Sequence, residues 1–404
     1  MMKRITAKKV GIFLMFTYFI SYITRINYGA VIVEMVRSTG FSKSELSLAV
    51  TASFFTYGLG QIICGWLGDR FQPRTMIFMG LVITSCMNIS MIFCPYYQLM
   101  AVLWGVNGFA QAFMWPPIVR LMVSLLSTDE YKKASLIVSW GSSLGTISIY
   151  LLAPLFISVS GYKLVFAFSA LSAIIMIPTW LMICPILSDK SQESKSTVVV
   201  KKNVSFTKLM FNPLMIGIMI AIVLQGSLRD GIATWMPSYI AETYNLGSNI
   251  AILTGVILPI FSIICMYASE TLHEHLLTDP IKCGCVIFAV STLSAALLLI
   301  FTGNSTIISV FSMGLLSGCM HGVNFMLICI VPAYFKTSGH ISLISGVLNA
   351  CTYIGSAVST YGIALLTDNF GWKPTIFVWF IIALMGTLMC LVCIPGWKKR
   401  FAKG

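Results

Sequence analysis

Apolar runs of about twenty residues recur twelve times along the chain, and short polar stretches separate them. A helix needs about 20 residues to cross the roughly 30 Å hydrocarbon core of a bilayer, so each run predicts one membrane-spanning helix. The pattern therefore predicts an all-α membrane protein with twelve transmembrane helices. The predicted spans begin near Val10, Ser44, Arg74, Tyr97, Lys132, Tyr162, Phe211, Ser248, Ile281, Ser305, Ile341 and Trp372.

The longest polar stretch, from Ser188 to Lys208, falls between the sixth and the seventh predicted span. It divides the chain into three predicted parts. These are an N-terminal six-helix bundle over residues 1–187, a cytoplasmic linker over 188–210 and a C-terminal six-helix bundle over 211–404.

The composition agrees with this pattern, because 57% of the residues are hydrophobic and only 10% are charged. Soluble domains average roughly 25% charged residues, so a soluble protein of this length is excluded. The net charge is +13, but the basic residues lie mainly in short loops between spans, which does not resemble a nucleic-acid patch. With the N-terminus inside, 20 of the 26 Lys and Arg fall on the inner side. We expect a bacterial plasma-membrane protein with both termini cytoplasmic.

The sequence contains no arrangement typical of an enzyme or a metal site. Its 12 cysteines are scattered, and most of them lie inside apolar runs. Neither they nor the four histidines have metal-ligand spacing, so we expect no metal and no cofactor. No nucleophile–base pair and no phosphate-cradling glycine loop is present. The expected partners are a lipid bilayer and a small solute, and the expected state is a monomer that binds no nucleic acid.

The loop after the second span contains a recognisable motif. It reads Gly65-Trp66-Leu67-Gly68-Asp69-Arg70-Phe71-Gln72-Pro73-Arg74. This resembles the signature loop of the major facilitator superfamily, Gly-x-Leu-Gly/Ala-Asp-Arg followed by a basic residue. The resemblance implies two pseudo-symmetric six-helix bundles and a conformational latch formed by Gly65, Asp69, Arg70 and Arg74. The matching loop of the second half, residues 270–279, is degenerate and acidic, so we expect no second latch there.

Two arginines lie inside apolar spans and about half the chain apart, which indicates a parallel repeat with a site between the bundles. They are Arg25 in the first span and Arg229 in the seventh. A central arginine costs about 2.5–3.5 kcal/mol on insertion scales, so it normally faces a cavity and has a partner. Asp230 adjoins Arg229, but neighbouring helix positions diverge by about 100°. Glu34 lies more than two turns beyond Arg25. We therefore expect the cargo to supply the negative charge, since guanidinium forks suit phosphate oxygens.

Three segments resemble one family within this superfamily. They read Tyr22-Ile23-Thr24-Arg25-Ile26-Asn27, then Gly108-Phe109-Ala110-Gln111-Ala112-Phe113-Met114-Trp115-Pro116-Pro117 with Arg120, and then Leu228-Arg229-Asp230-Gly231 with Trp235-Met236-Pro237-Ser238-Tyr239. Together they resemble the organophosphate:phosphate antiporters, which include glycerol-3-phosphate and hexose-phosphate transporters. The similarity runs along the whole chain in span order. It implies a phosphate pocket between the bundles, in which Arg25 and Arg229 grip the anion.

The resemblance also implies further substrate-binding positions. Two of them precede Arg25 at helical spacing, so they share its face. Phenol and amide donors suit the hydroxyls of a metabolite, and aromatic rings suit its carbon skeleton. The implied positions are Tyr18, Tyr22, Tyr57, Gln111, Trp115 and Tyr353.

The chain departs from the bacterial glycerol-3-phosphate transporters at four positions. It has Gln61 where they have a lysine, and Ser139 near the position of a histidine. It has Gly226 in place of a tyrosine, and His321 where a tyrosine is expected. One cation of the family pocket is therefore absent, while an anion remains the expected cargo. Gln61, Ser139 and His321 complete the predicted substrate-binding set.

These observations predict a secondary active transporter that works by alternating access. Its expected cargo is a small organic anion, a sugar phosphate or glycerol 3-phosphate, and inorganic phosphate is the expected counter-substrate. One alternative is a cation-coupled symporter of a carboxylate or another organic anion, for which the spans contain few protonatable groups, mainly Asp230, His321 and Glu34. The other is a transporter-like membrane sensor of sugar phosphates, because one branch of the resembling family signals to a kinase partner.

Overall fold

The computed structural model describes residues 7–67, 71–188, 210–338 and 341–401, and this part of the chain contains helices and no strand. The first half consists of α1 (Ala7–Thr39), α2 (Lys43–Leu67), α3 (Pro73–Ile92), α4 (Tyr97–Gln111), α5 (Trp115–Leu125), α6 (Thr128–Ser160) and α7 (Lys163–Ser188). The second half consists of α8 (Pro213–Thr243), α9 (Ser248–Thr254), α10 (Ile257–His275), α11 (Pro280–Phe301), α12 (Thr306–Asn324), α13 (Ile341–Phe370) and α14 (Trp372–Phe401). A π-helix (Phe325–Ile330) and a 3-10 helix (Val331–Ser338) follow α12.

Every predicted span begins within four residues of an observed helix start. Among the described residues, 11 helical segments are long and apolar enough to cross a membrane. The fourth predicted span is not one of them, and it is divided between α4, with 15 residues, and α5, with 11. The prediction of an all-α membrane protein with twelve spans is confirmed. The division into bundles over 1–187 and 211–404 stays a prediction, since most of the linker over 188–210 lies outside the described residues.

Three spans are interrupted close to prolines, which lack a backbone donor and clash with the preceding turn. α5 begins at Trp115 and has Pro116 and Pro117 in its first turn. Pro259 lies just after the break between α9 and α10, and Pro332 lies just after the π-helix. The apolar pattern continues through each interruption, so the sequence predicts one uninterrupted helix for each of these spans.

The halves contact each other through α2 against α13, α1 against α8 and α6 against α9. Within the second half, α8 and α13 approach so closely that their crossing requires glycine. A Cβ atom at Gly226 would overlap the carbonyl oxygen of Thr352, and one at Gly355 would overlap that of Val223. This close packing leaves no room for a side chain at position 226.

Candidate functional site

Two arginines from opposite halves meet at one tyrosine. Arg25 lies near the middle of α1, and Arg229 lies near the middle of α8. The ring centre of Tyr353, on α13, is 5.5 Å from the guanidinium carbon of Arg25 and 5.6 Å from that of Arg229. The two guanidinium carbons are therefore separated by at most twice the longer distance. One metabolite-sized solute could reach both of them, and we call the group formed by Arg25, Arg229 and Tyr353 the chamber.

Aromatic rings surround Arg25. Its guanidinium carbon lies 4.0 Å from the ring centre of Tyr57 and 5.8 Å from that of Tyr22. Tyr57 and Tyr353 contact each other edge to face, with 4.5 Å between their centres. A guanidinium over an aromatic face gains about 0.5–2 kcal/mol, so the rings hold Arg25 without neutralising it. Among the described residues, no carboxylate forms an ion pair with Arg25.

Tyr18 and Trp115 extend this aromatic surface. The ring centre of Tyr18 is 5.0 Å from that of Tyr22 and 4.9 Å from that of Trp115. Tyr18 and Tyr22 are one turn apart on α1, whereas Trp115 is the first residue of α5. The structure therefore gathers all five predicted aromatic residues around Arg25. Such a surface suits the carbon skeleton of a solute whose charged group binds the arginine.

Arg229 has a protein counter-ion, so the expectation that Asp230 would not pair with it is wrong. The Nε of Arg229 donates to Oδ1 of Asp230 at 2.9 Å, and its Nη2 donates to Oδ2 at 2.7 Å. Adjacent helix positions do diverge, but the long stem of arginine lets the guanidinium fold back onto the neighbouring carboxylate. The hydroxyl of Ser356, on α13, also donates to Oδ2, at 2.6 Å. Only 10% of the Arg229 side chain and 16% of the Asp230 side chain are exposed.

Gln61 has an unused donor close to the aromatic surface. It follows Tyr57 by one turn of α2, so the two side chains share a helix face. Gln61 is 9% exposed, and its Nε2 has no hydrogen-bond partner among the described residues. A buried amide without a partner costs about 1–3 kcal/mol, so an oxygen of a bound solute would be a favourable acceptor. His321, on α12, lies within electrostatic range of Arg229 and Asp230.

Gln111 makes its hydrogen bonds to other protein side chains and connects α4 to α1 and α3. It is 1% exposed, and its Oε1 accepts from the hydroxyl of Ser21 at 2.6 Å. Its Nε2 donates to the hydroxyls of Thr24 and Thr84, at 3.0 and 2.9 Å. Asn107 adds a bond from its Nδ2 to the carbonyl oxygen of Thr24 at 3.2 Å. This polar layer holds the helical turn that carries Arg25. The sequence interpretation missed the layer, although polar residues inside apolar spans were the indication.

Ser139 is not joined to these residues by the hydrogen bond that the structure shows for it. Its hydroxyl donates to the carbonyl oxygen of Ser135 at 2.8 Å, within α6. Its place in the substrate-binding set stays a prediction from the resemblance alone.

The predicted latch is described only in part. Asp69 and Arg70 lie outside the described residues, and Gly65 lies in the last turn of α2. Arg74 is the second residue of α3, and its carbonyl oxygen accepts from Nε1 of Trp180 at 3.1 Å. The latch therefore stays a prediction.

Polar contacts join the two halves at the end opposite the chain termini, which we call the closed end. Nζ of Lys43 forms an ion pair with Oε2 of Glu242 at 2.8 Å, and Nε1 of Trp372 donates to the same oxygen at 2.9 Å. The backbone N–H of Ser44 donates to Oδ2 of Asp368 at 2.8 Å. Further hydrogen bonds join Arg37 to Leu246, Glu34 to Ser248, Thr51 to Ala357 and Tyr150 to Ala233. These hydrogen bonds all lie toward the closed end.

Comparison with known proteins gives matches along most of the chain. The family model described as Major Facilitator Superfamily matches residues 14–332. The chain is 23% identical to a "probable hexose phosphate transport protein" of Chlamydia pneumoniae, over 94% of this chain and 89% of that protein. It is 27% identical to the glycerol-3-phosphate transporter of Bacillus subtilis, over 58% of this chain and 56% of that protein.

A solved transporter has the same fold. The structure of a bacterial homologue of the human lysosomal transporter Spinster, inward-facing and unoccupied, superposes with a TM-score of 0.77. The match covers 97% of this chain and 98% of that chain at 11% identity. At this identity the likeness shows the fold alone, and it confirms the predicted architecture.

Proposed function

The chain belongs to the Major Facilitator Superfamily, and from that premise we propose that it exchanges a phosphorylated small metabolite for inorganic phosphate. The metabolite would be a sugar phosphate or glycerol 3-phosphate. The family is one of multi-pass membrane transporters, not of enzymes. The observation that carries the proposal is that Arg25 and Arg229, from opposite halves, both lie within 5.6 Å of the ring centre of Tyr353.

The chemistry of the chamber supports a phosphate group as the bound anion. Guanidinium groups bind phosphate oxygens through pairs of charge-assisted hydrogen bonds. Tyr57 and Tyr353 surround Arg25 without bringing a carboxylate to it, so its positive charge stays available to a solute. The buried Nε2 of Gln61 adds a donor for a phosphate or hydroxyl oxygen. The relatives named as hexose phosphate and glycerol-3-phosphate transporters support the same class of cargo.

The transport cycle would consist of rocking of the bundle over 1–187 against the bundle over 211–404, joined by the linker over 188–210. An anion between Arg25 and Arg229 would draw the halves together, and the contacts of the closed end would then break. We place both termini in the cytoplasm, because basic residues are concentrated at their end of the molecule. In this proposal the protein works as a monomer in a bacterial plasma membrane, with inorganic phosphate as its counter-substrate.

Proteoliposomes loaded with inorganic phosphate test the exchange directly. Labelled glucose 6-phosphate should enter them, and omission of internal phosphate should reduce uptake to the level of protein-free vesicles. Arg25→Lys and Arg229→Lys should each reduce uptake by about 100-fold or more, because a point charge replaces a fork. Arg400→Lys is the matched control, since Arg400 lies over the ring of Phe335 near the C-terminus. Exchange that survives both chamber substitutions would contradict the phosphate clamp.

A cation-coupled symporter of a carboxylate or another organic anion is the second candidate. Asp230 and His321 are two protonatable groups beside Arg229, as a proton-coupled carrier requires. Vesicles without internal phosphate separate the two candidates, because uptake driven by a pH gradient would favour symport. Binding of a sugar phosphate without transport under either condition would instead indicate a transporter-like membrane sensor.

A further inference from the structure

Asp230 occupies one edge of the Arg229 guanidinium. A guanidinium offers two bidentate edges, one formed by Nε and Nη2 and the other by Nη1 and Nη2. Both donors of the first edge are bound to Asp230, at 2.9 and 2.7 Å. A solute that reaches Arg229 therefore finds only the Nη1–Nη2 edge, unless the carboxylate leaves.

The carboxylate is held in place from two helices. Asp230 itself belongs to α8, and the hydroxyl of Ser356 on α13 donates to Oδ2 at 2.6 Å. The pair is also largely buried, and separating a buried ion pair leaves an uncompensated charge, which is strongly unfavourable. An arriving anion therefore has to bind alongside Asp230 and does not simply replace it.

The charges of the chamber differ from those of a clamp made of two unpaired arginines. Arg25 and Arg229 contribute two positive charges and Asp230 contributes one negative charge, which leaves one net positive charge among these three. Tyr22, Tyr353 and His321 also lie within electrostatic range of Arg229. Two unpaired arginines would suit a dianion, whereas a pair with a resident carboxylate suits an anion with one charge, since Asp230 repels a second one.

We propose that Asp230 is a resident counter-ion that determines which anions the chamber accepts. This inference rests on the proposed function and narrows its substrate class. The cargo binds through a tetrahedral oxyanion group that carries one negative charge, as in a monovalent phosphate ester or a sulfate ester. Arg25 is the main contact of that group, and the Nη1–Nη2 edge of Arg229 is the second.

Two esters of similar shape and different charge test this assignment. Glucose 6-sulfate carries one negative charge, whereas a phosphate ester such as glucose 6-phosphate carries roughly 1.5 to 2 negative charges near pH 7. Isothermal titration of the purified protein at neutral pH gives a Kd for each ester. The wild type should bind the two esters within about tenfold of each other, because Asp230 repels the second negative charge and offsets part of its attraction to the arginines.

Asp230→Asn should shift this ratio toward glucose 6-phosphate by about tenfold or more, since it restores a second available positive charge. Ser356→Ala is the matched control, because it removes a hydrogen bond to Asp230 and keeps the charge. Its ratio should stay within about threefold of the wild-type ratio.

Two results would overturn the assignment of Asp230. One is a wild type that prefers glucose 6-phosphate by more than about tenfold, which can be measured even if Asp230→Asn does not fold. The other is a folded Asp230→Asn protein with the wild-type ratio. A wild type that binds neither ester would contradict the proposed function itself. Exchange of glucose 6-phosphate with an unchanged ratio in Asp230→Asn would contradict the inference alone.

Discussion

The two chamber arginines occupy matching positions in the two halves, but their surroundings differ. Arg25 lies over the rings of Tyr57 and Tyr353 and forms no ion pair with a carboxylate in the described residues. Arg229 shares the ring of Tyr353 but is bound to Asp230 through two hydrogen bonds. The repeat therefore supplies two positions for a cation. The side chains around each position decide whether its charge is available to a solute.

The hydrogen bonds of a buried glutamine also differ between the two halves. In the first half, both ends of the Gln111 amide are bound to side-chain hydroxyls of α1 and α3. In the second half, Gln225 donates to the carbonyl oxygen of Met320 at 2.9 Å and accepts a longer bond from Thr352 at 3.4 Å. Gln111 thus makes three hydrogen bonds to side chains, whereas Gln225 makes two, of which one is long.

The largest difference in stability between the halves should follow removal of each arginine. Arg229→Ala leaves Asp230 buried without its cation and should lower the free energy of unfolding by about 3–5 kcal/mol. Arg25→Ala leaves no carboxylate unpaired and should lower it by about 2 kcal/mol or less, the scale of the lost ring contacts. Thermal and denaturant unfolding in detergent would measure both values.

The double variant Arg229→Ala/Asp230→Asn is the control for this comparison. It should recover most of the stability lost in Arg229→Ala, because no buried charge remains, and it should still not exchange phosphate. Equal destabilisation by Arg25→Ala and Arg229→Ala would remove the energetic distinction between the two sites.

Replacement of the buried glutamines Gln111 and Gln225 should lower the free energy of unfolding by less than the loss of Arg229 does. Gln111→Leu leaves the hydroxyls of Ser21, Thr24 and Thr84 short of a partner, and should lower the free energy of unfolding by about 1–3 kcal/mol. Gln225→Leu removes one good hydrogen bond and should cost about 1 kcal/mol. Parallel denaturant titrations would compare them. If Gln225→Leu proved the more damaging, the number of hydrogen bonds at each glutamine would not explain the difference.

The smallest effect concerns the closed end, where the halves meet. Lys43→Gln breaks one ion pair in which 11% of the Lys43 side chain and 39% of the Glu242 side chain are exposed. Such a partly exposed pair is worth about 1 kcal/mol, so the equilibrium between closed and open forms should shift by about fivefold. Spin labels at Ser38 and Asn245, on opposite halves, would report the separation of this end. High salt should shift the wild type in the same direction, because it screens exposed charges. A shift in Lys43→Gln with no response to salt in the wild type would exclude the charge pair as the cause.

The helices could be predicted closely from the sequence because a bilayer imposes nearly one length on every span. Their interruptions could not, because the apolar pattern runs unchanged through the break between α4 and α5. The break is decided by Pro116 and Pro117, whose effect depends on the backbone around them. The hydrogen bonds of Gln111 could not be predicted from the sequence either, because its partners Ser21 and Thr84 are distant from it along the chain.

Sequence alone determined that this protein crosses the membrane many times and that two arginines lie inside apolar spans, where each needs a negative charge nearby. Both conclusions follow from the order of apolar and charged residues along the chain. Tertiary structure decided that Arg229 already has such a partner in Asp230, whereas Arg25 forms no ion pair with a carboxylate of the described ranges. It also decided that one ring, Tyr353, connects both. The physical reason is that pairing depends on distances of a few ångströms between side chains, and only the packing of α1, α8 and α13 sets those distances.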